Sequence, residues 1–152
     1  MRVVGCAILA DRPTPGGPME RVSFDKLLRV ADVVSLHAPL DATTAGLIGK
    51  AELAMMKSSA VLVNTARAAL VDTAALLTAL NRNEIAAAAL DVLGVEPGGE
   101  LEARLLEHGS VLATPHAGWY SEESFVALRR KWRARRSGSS TALRRVRPST
   151  LL

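Results

Sequence analysis

Arg67, Glu96 and His116, distant from one another in the sequence, are of the types needed to move a hydride to or from a carbon that carries an oxygen beside a carboxylate. An arginine guanidinium can hold a carboxylate through two parallel hydrogen bonds, a contact worth about 1.5–3 kcal/mol, and polarise the neighbouring carbonyl. A histidine titrating near neutrality takes the hydroxyl proton or returns it. A carboxylate beside it fixes the tautomer and favours the protonated ring. The hydride then needs a nicotinamide to carry it. By type and spacing alone each residue also has an ordinary reading: Arg67 as a solvated loop cation, Glu96-Pro97 as an acidic turn, His116 as a cap for the helix region that follows.

Residues so far apart meet only if the fold carries them to one rim, and the hydrophobic pattern describes such a fold. Arg2 to Leu9 (RVVGCAIL) is apolar and β-branched and is ended by a proline- and glycine-rich loop, which reads as a strand. Ser23 stands before Phe24, Leu27 and Leu28, the capped apolar face of a short helix. A second strand runs from Asp32 to His37 and closes before Pro39, a short helix occupies Gly49 to Lys57, and Ala60 to Asn64 is a third strand apolar on both faces. Asp72 caps the helix TAALLTALNR, Ile85 to Asp91 is a fourth strand and Val111 to Thr114 a fifth. Ser121 caps a helix that opens with Glu122 and Glu123, the charge its dipole favours.

Strands and helices alternating over short links predict a parallel α/β sheet with right-handed crossovers, whose ligands sit beyond the carboxyl ends of the strands. The residues there are His37 after the second strand; Asn64, Thr65 and Arg67 after the third; Asp91 and Glu96 after the fourth; and His116 after the fifth. Asp91 could also simply end its strand, and His37 could be a buried, satisfied histidine.

Composition bounds the partners. The 152 residues are 49% hydrophobic and 22% charged, enough apolar side chain for one core and too much for disorder by low hydrophobicity. No apolar run approaches the roughly 20 residues of a membrane span, and Asp11 interrupts the opening segment before a signal core is complete. A cytoplasmic protein without a membrane partner is expected. Cys6, the only cysteine, can form neither an internal disulfide nor a cysteine zinc cage, and no metal site is predicted. The net charge of +4 is unevenly placed: residues 1–123 hold ten Lys/Arg against all fifteen Asp/Glu, and residues 124–152 hold nine Lys/Arg and no acid. The chain therefore divides into a globular part, 1–130, and a basic, solvated and disordered tail, 131–152, for which no specific nucleic-acid partner is expected.

Four segments in order, ADVVSLHAPLDATTAGLIGKAELAMMK, AVLVNTARAALVDTAALLTAL, AAAALDVLGVEP and VLATPHAGWYSEES, resemble the D-isomer-specific 2-hydroxyacid dehydrogenases. This family includes phosphoglycerate, hydroxypyruvate/glyoxylate and formate dehydrogenases and the C-terminal binding protein corepressors. The likeness runs from Arg2 to about Lys131, and Trp119-Tyr120-Ser121-Glu122 looks most like the corepressor branch. The resemblance implies that Arg67 binds the substrate carboxylate, that Glu96 pairs with His116, and that His116 is the acid–base. It implies that Asp91 holds the nicotinamide carboxamide, and that His37, Pro39, Thr44, Asn64, Thr65 and Ala66 lie along the cofactor. NAD is the implied cofactor, a small 2-hydroxy or 2-keto acid the implied substrate, and a homodimer a possible assembly. A corepressor-like scaffold that binds a dinucleotide, and a truncated product without independent activity, are the alternatives.

The departures are specific. No GxGxxG occurs, and in the family that loop comes just before the strand that Arg2 to Leu9 resembles. The expected fold is thus a partial doubly wound, Rossmann-like sheet lacking the first βα unit with its glycine-rich loop. Ala7 stands where the family commonly has an acid for the adenine ribose; in the next loop either Asp11 could take that acid's place or Arg12 would suit a 2′-phosphate and hence NADP. Ala68 and Ala69 replace glycines, which predicts strain at Arg67 if either position needs a positive φ.

Overall fold

The computed structural model describes residues 1–6, 19–94 and 99–136, with side chains through residue 133. The chain divides into two units, Met1–Gly118 and Trp119–Leu152. In the first, β1 (Val4–Gly5) pairs in parallel with β2 (Glu20–Arg21), and an Arg2–Glu20 ion pair lies beside them. The predicted strand from Arg2 to Leu9 is represented by β1, and residues 7–18, Asp11 and Arg12 among them, lie outside the described part. The sequence reading leaves β2 unassigned, because two exposed polar residues carry no periodic signal.

α1 (Phe24–Val30) starts where expected, with the Ser23 hydroxyl accepting from the Lys26 amide. It leads to β3 (Val33–Leu36), α2 (Lys50–Met55), β4 (Val61–Asn64), a 3-10 turn (Ala68–Leu70), α3 (Thr73–Asn81), β5 (Ala87–Leu90), α4 (Glu100–Leu106) and β6 (Val111–Ala113). Asp72 caps α3 as predicted, its carboxylate accepting from the amides of Ala74 and Ala75. The second sheet has the order β3-β4-β5-β6, every pair parallel.

Consecutive neighbours joined by crossovers of one hand put the intervening helices on one face. The core records this directly. Leu28 of α1, Leu53 of α2, Leu76, Leu77 and Leu80 of α3 and Leu105 of α4 share one cluster with Val34, Leu36, Leu62, Ala88 and Leu90 of the strands. Because side chains alternate along a strand, the intervening residues face the other way. On that face Val33 and Leu112 are 60% and 67% exposed, while Val61, Val63, Ala87 and Ala89 are half-buried.

In the second unit, α5 (Glu122–Arg136) begins at a reciprocal serine cap: the Ser121 hydroxyl accepts from the Ser124 amide, and the Ser124 hydroxyl from the Ser121 amide. Residues 131–136, assigned to the tail by charge, continue this helix, since arginine and alanine are good helix formers whatever their net charge. Residues 137–152 lie outside the described part. No helix among the described residues is long and apolar enough to cross a membrane.

Candidate active site

The strand ends are in register. Leu36 pairs with Asn64, Asn64 with Leu90, and Leu90 with Ala113, so His37, Thr65, Asp91 and Thr114 begin four adjacent strand exits at one rim. The ladder continues one step further, with the Asp91 amide donating to Asn64 O (3.0 Å) and the Thr114 amide to Leu90 O (3.0 Å). Neighbouring parallel strands lie about 4.8 Å apart, so the exits of β4 and β6, which lead to Arg67 and His116, are separated only by that of β5.

The exit loops of β3, β4 and β6 are each shaped by a buried polar side chain. After β4, Asn64 is 1% exposed; its Nδ2 donates to Arg67 O (2.9 Å) and its Oδ1 accepts from the Ala66 amide (3.0 Å). It therefore serves the site through the backbone of Ala66 and Arg67. Arg67 itself is exposed, with Nη1 donating to Ala66 O (2.6 Å). Ala68 and Ala69 open the 3-10 turn, and the non-glycine residues with positive φ among those described are Asn83 and His116. The strain expected at Ala68 and Ala69 is absent, because this turn needs only ordinary right-handed backbone.

After β3, His37 is exposed with its Nε2 2.9 Å from Ser35 Oγ, which removes the buried-histidine reading. Pro39 is exposed as well. Thr44 is fully buried, its hydroxyl donating to Pro39 O (2.6 Å) and accepting from the Asp41 amide (2.9 Å). Thr44 thus holds the loop, and any influence it has at the rim passes through Pro39. Thr65 is exposed and Ala66 half-buried, so their surfaces are open at the rim.

After β6, the Thr114 carbonyl accepts from the His116 amide (2.9 Å) around Pro115, a turn that proline's fixed φ favours. His116 follows with φ +53°, in the left-handed region, which costs an L-residue roughly 1–2 kcal/mol. The compensation is Asp91, 6% exposed. Its Oδ1 accepts from the Thr114 hydroxyl and from the Ala117 amide (2.8 Å), and its Oδ2 accepts from the Gly118 amide (2.8 Å). Two successive amides turned onto one carboxylate form a small anion nest. Glycine suits position 118, because a Cβ there would lie 2.8 Å from Asp91 Oδ2 and force the carboxylate to shift. His116 is exposed, and the helix cap is Ser121, so His116 is not that cap. Glu96 lies in 95–98, outside the described residues. The sequence reading missed Thr114 and Ser35. A short hydroxyl residue ending a strand before a proline was the available signal for Thr114.

The Thr114 hydroxyl bond draws the Asp91 carboxyl below its ordinary 3.8; burial opposes this, and the Gly118 and Ala117 amides and the charge of His116 reinforce it. Asp41 is lowered in the same way, first by the Thr43 hydroxyl. For a depressed carboxyl the folded state holds fewer protons than the unfolded one. Its stabilisation is therefore complete above the unfolded value and is lost as pH falls through the lower folded value. Asp91→Asn is expected to be less stable at neutrality and to show a shallower acid limb than wild type when urea midpoints are compared across pH below about 5.

Residues 1–118 match the family described as D-isomer specific 2-hydroxyacid dehydrogenase, NAD binding domain. Among curated relatives, the D-3-phosphoglycerate dehydrogenase of Bacillus subtilis (strain 168) is 41% identical over 102 residues, 67% of this chain and 19% of that protein. The D-specific alpha-keto acid dehydrogenase of Enterococcus faecalis is 37% identical over 134 residues, 80% of this chain and 42% of that protein. Among solved structures, the NAD-complexed D-isomer specific 2-hydroxyacid dehydrogenase of Lactobacillus delbrueckii ssp. bulgaricus superposes with a TM-score of 0.75 at 31% identity, over 93% of this chain and 47% of that one. The chain spans between about a fifth and a half of the length of these relatives.

Proposed function

Since the chain belongs to the family of D-isomer specific 2-hydroxyacid dehydrogenases, whose NAD-binding domain residues 1–118 match, we propose that it serves an enzyme interconverting a D-2-hydroxy acid and a 2-keto acid. The observation that carries the proposal is the in-register rim, which gives Arg67, Asp91 and His116 to the exits of three adjacent strands. The exits of β3 and β4 present His37, Pro39 and Thr65 exposed beside half-buried Ala66, small and polar surfaces that fit the flat amide-bearing ring of a nicotinamide. NAD would accept or return the hydride when bound there.

The chain's own residues do the rest. Arg67, exposed and anchored by its backbone to Asn64, binds the substrate carboxylate and sets which carbon faces the cofactor. His116 removes the proton from the hydroxyl oxygen in oxidation and returns it in reduction. Glu96 would favour the protonated form of that ring. The proposal extends to a homodimer, carried over from the family resemblance, and to the cytoplasm as its location.

The test is calorimetric titration with NADH together with steady-state reduction of glyoxylate, hydroxypyruvate and pyruvate. Arg67→Ala should raise KM for these acids roughly 10–100-fold, the loss of one charge-assisted bidentate contact. NADH binding without turnover of any 2-keto acid by a complete enzyme carrying this domain would move the assignment to a dinucleotide-dependent scaffold.

A further inference from the structure

We propose that Thr114 and Asp91 form a latch that positions the imidazole of His116, with Thr114 the positioning residue and the Asp91 carboxylate the element through which it acts. The clause that His116 is the acid–base rests on the function proposed above; the latch itself rests on geometry. His116 sits at a left-handed φ that its own side chain disfavours, between two segments tied to one carboxylate: the Thr114 hydroxyl before it, and the Ala117 and Gly118 amides after it. Those bonds come from both sides of a single residue and leave its backbone little freedom to rotate. The Thr114 amide is simultaneously fixed to Leu90 O and the Asp91 amide to Asn64 O, so both ends of the latch stand on the sheet ladder. The ring of His116 is exposed, so the backbone that the latch holds fixes the direction of its Cα–Cβ bond and, through it, the region its rotamers can reach.

The latch does not need Thr114 for its fold. Asp91 keeps two backbone donors without the hydroxyl, and β6 keeps its ladder bonds to β5. Removing the hydroxyl should therefore loosen the turn locally. Adding a methyl at Gly118 attacks the same carboxylate from its other oxygen, since the new Cβ would meet Oδ2 at 2.8 Å.

The experiment is nitrogen-15 and proton NMR of the full chain, in which His37, His108 and His116 are the only histidines and are assigned by single His→Gln variants. Thr114→Val should speed hydrogen exchange of the Ala117 and Gly118 amides about tenfold or more. It should shift or broaden the side-chain signals of His116 while those of His37 and His108 stay in place. Thr114→Ser, which restores the hydroxyl, should return His116 to its wild-type signals. Gly118→Ala should reproduce the Thr114→Val pattern and decides the matter if that variant fails to fold. His116 signals unchanged in both Thr114→Val and Gly118→Ala, or not restored by serine, would overturn the latch. In turnover with NADH, Thr114→Val should lower kcat about tenfold with KM for NADH unchanged. Absence of turnover in a complete enzyme carrying this domain would count against the proposed function, and the NMR result would still decide the latch.

Discussion

With His116 replaced by alanine, turnover of 2-keto acids by an enzyme carrying this domain is expected to fall roughly 10²–10⁴-fold while NADH still binds. Hydride transfer to a carbonyl leaves negative charge on oxygen, and without a positioned proton donor the alkoxide must take a proton from water. The loss should appear in kcat, because the imidazole contributes where charge develops and not where the carboxylate is held. Arg67→Ala, in contrast, acts on KM, and the two variants together separate proton transfer from substrate binding. Steady-state rates with glyoxylate, hydroxypyruvate and pyruvate check this. Unchanged turnover in the His116 variant would remove the residue from the chemistry.

The largest effect on stability is expected at Leu62. It is fully buried on β4, between β3 and β5, and faces the helix layer with Leu53 and Leu76 in the same cluster. Leu62→Ala removes most of the side chain from a site whose neighbours are fixed by the sheet ladder, and should cost about 2–5 kcal/mol. Leu112→Ala is the control. Leu112 is 67% exposed on the opposite face, and truncation there should stay within about 0.5 kcal/mol. Urea unfolding of the two variants measures the difference. Similar losses at both positions would mean that the outward face is covered in solution.

Alternation of strand and helix was legible because it rests on local periodicity. Val33 to Leu36, Val61 to Asn64 and Ala87 to Leu90 lie within the segments read as strands, and Ser23, Asp72 and Ser121 cap as their side chains suggest. The short elements were less legible. Glu100–Leu106 is only seven residues long and follows a glycine pair, and Glu20–Arg21 is too short for any pattern. Charge was a poor guide to the end of α5, since a run of arginines changes the net charge without interrupting a helix.

At the rim, sequence and fold decided different things. Residue types and their places after strands determined that an arginine, an aspartate and a histidine belong to one edge of a parallel sheet, because a strand's exit is a local property of the chain. Asn64, Thr44 and Asp91, read as cofactor contacts, turn out to have their polar atoms bonded to the loops, and Thr114, unremarked in the sequence, shares the Asp91 carboxylate. Those roles could not be read from order or spacing. Thr114 and Asp91 are 23 positions apart, and only the register of β5 against β6 brings the hydroxyl and the amides of Ala117 and Gly118 onto one carboxylate. The left-handed backbone of His116 was hidden for the same reason. Left-handed backbone is uncommon even for histidine, which adopts it more often than most residues, and the bonds that hold His116 there reach to a different strand.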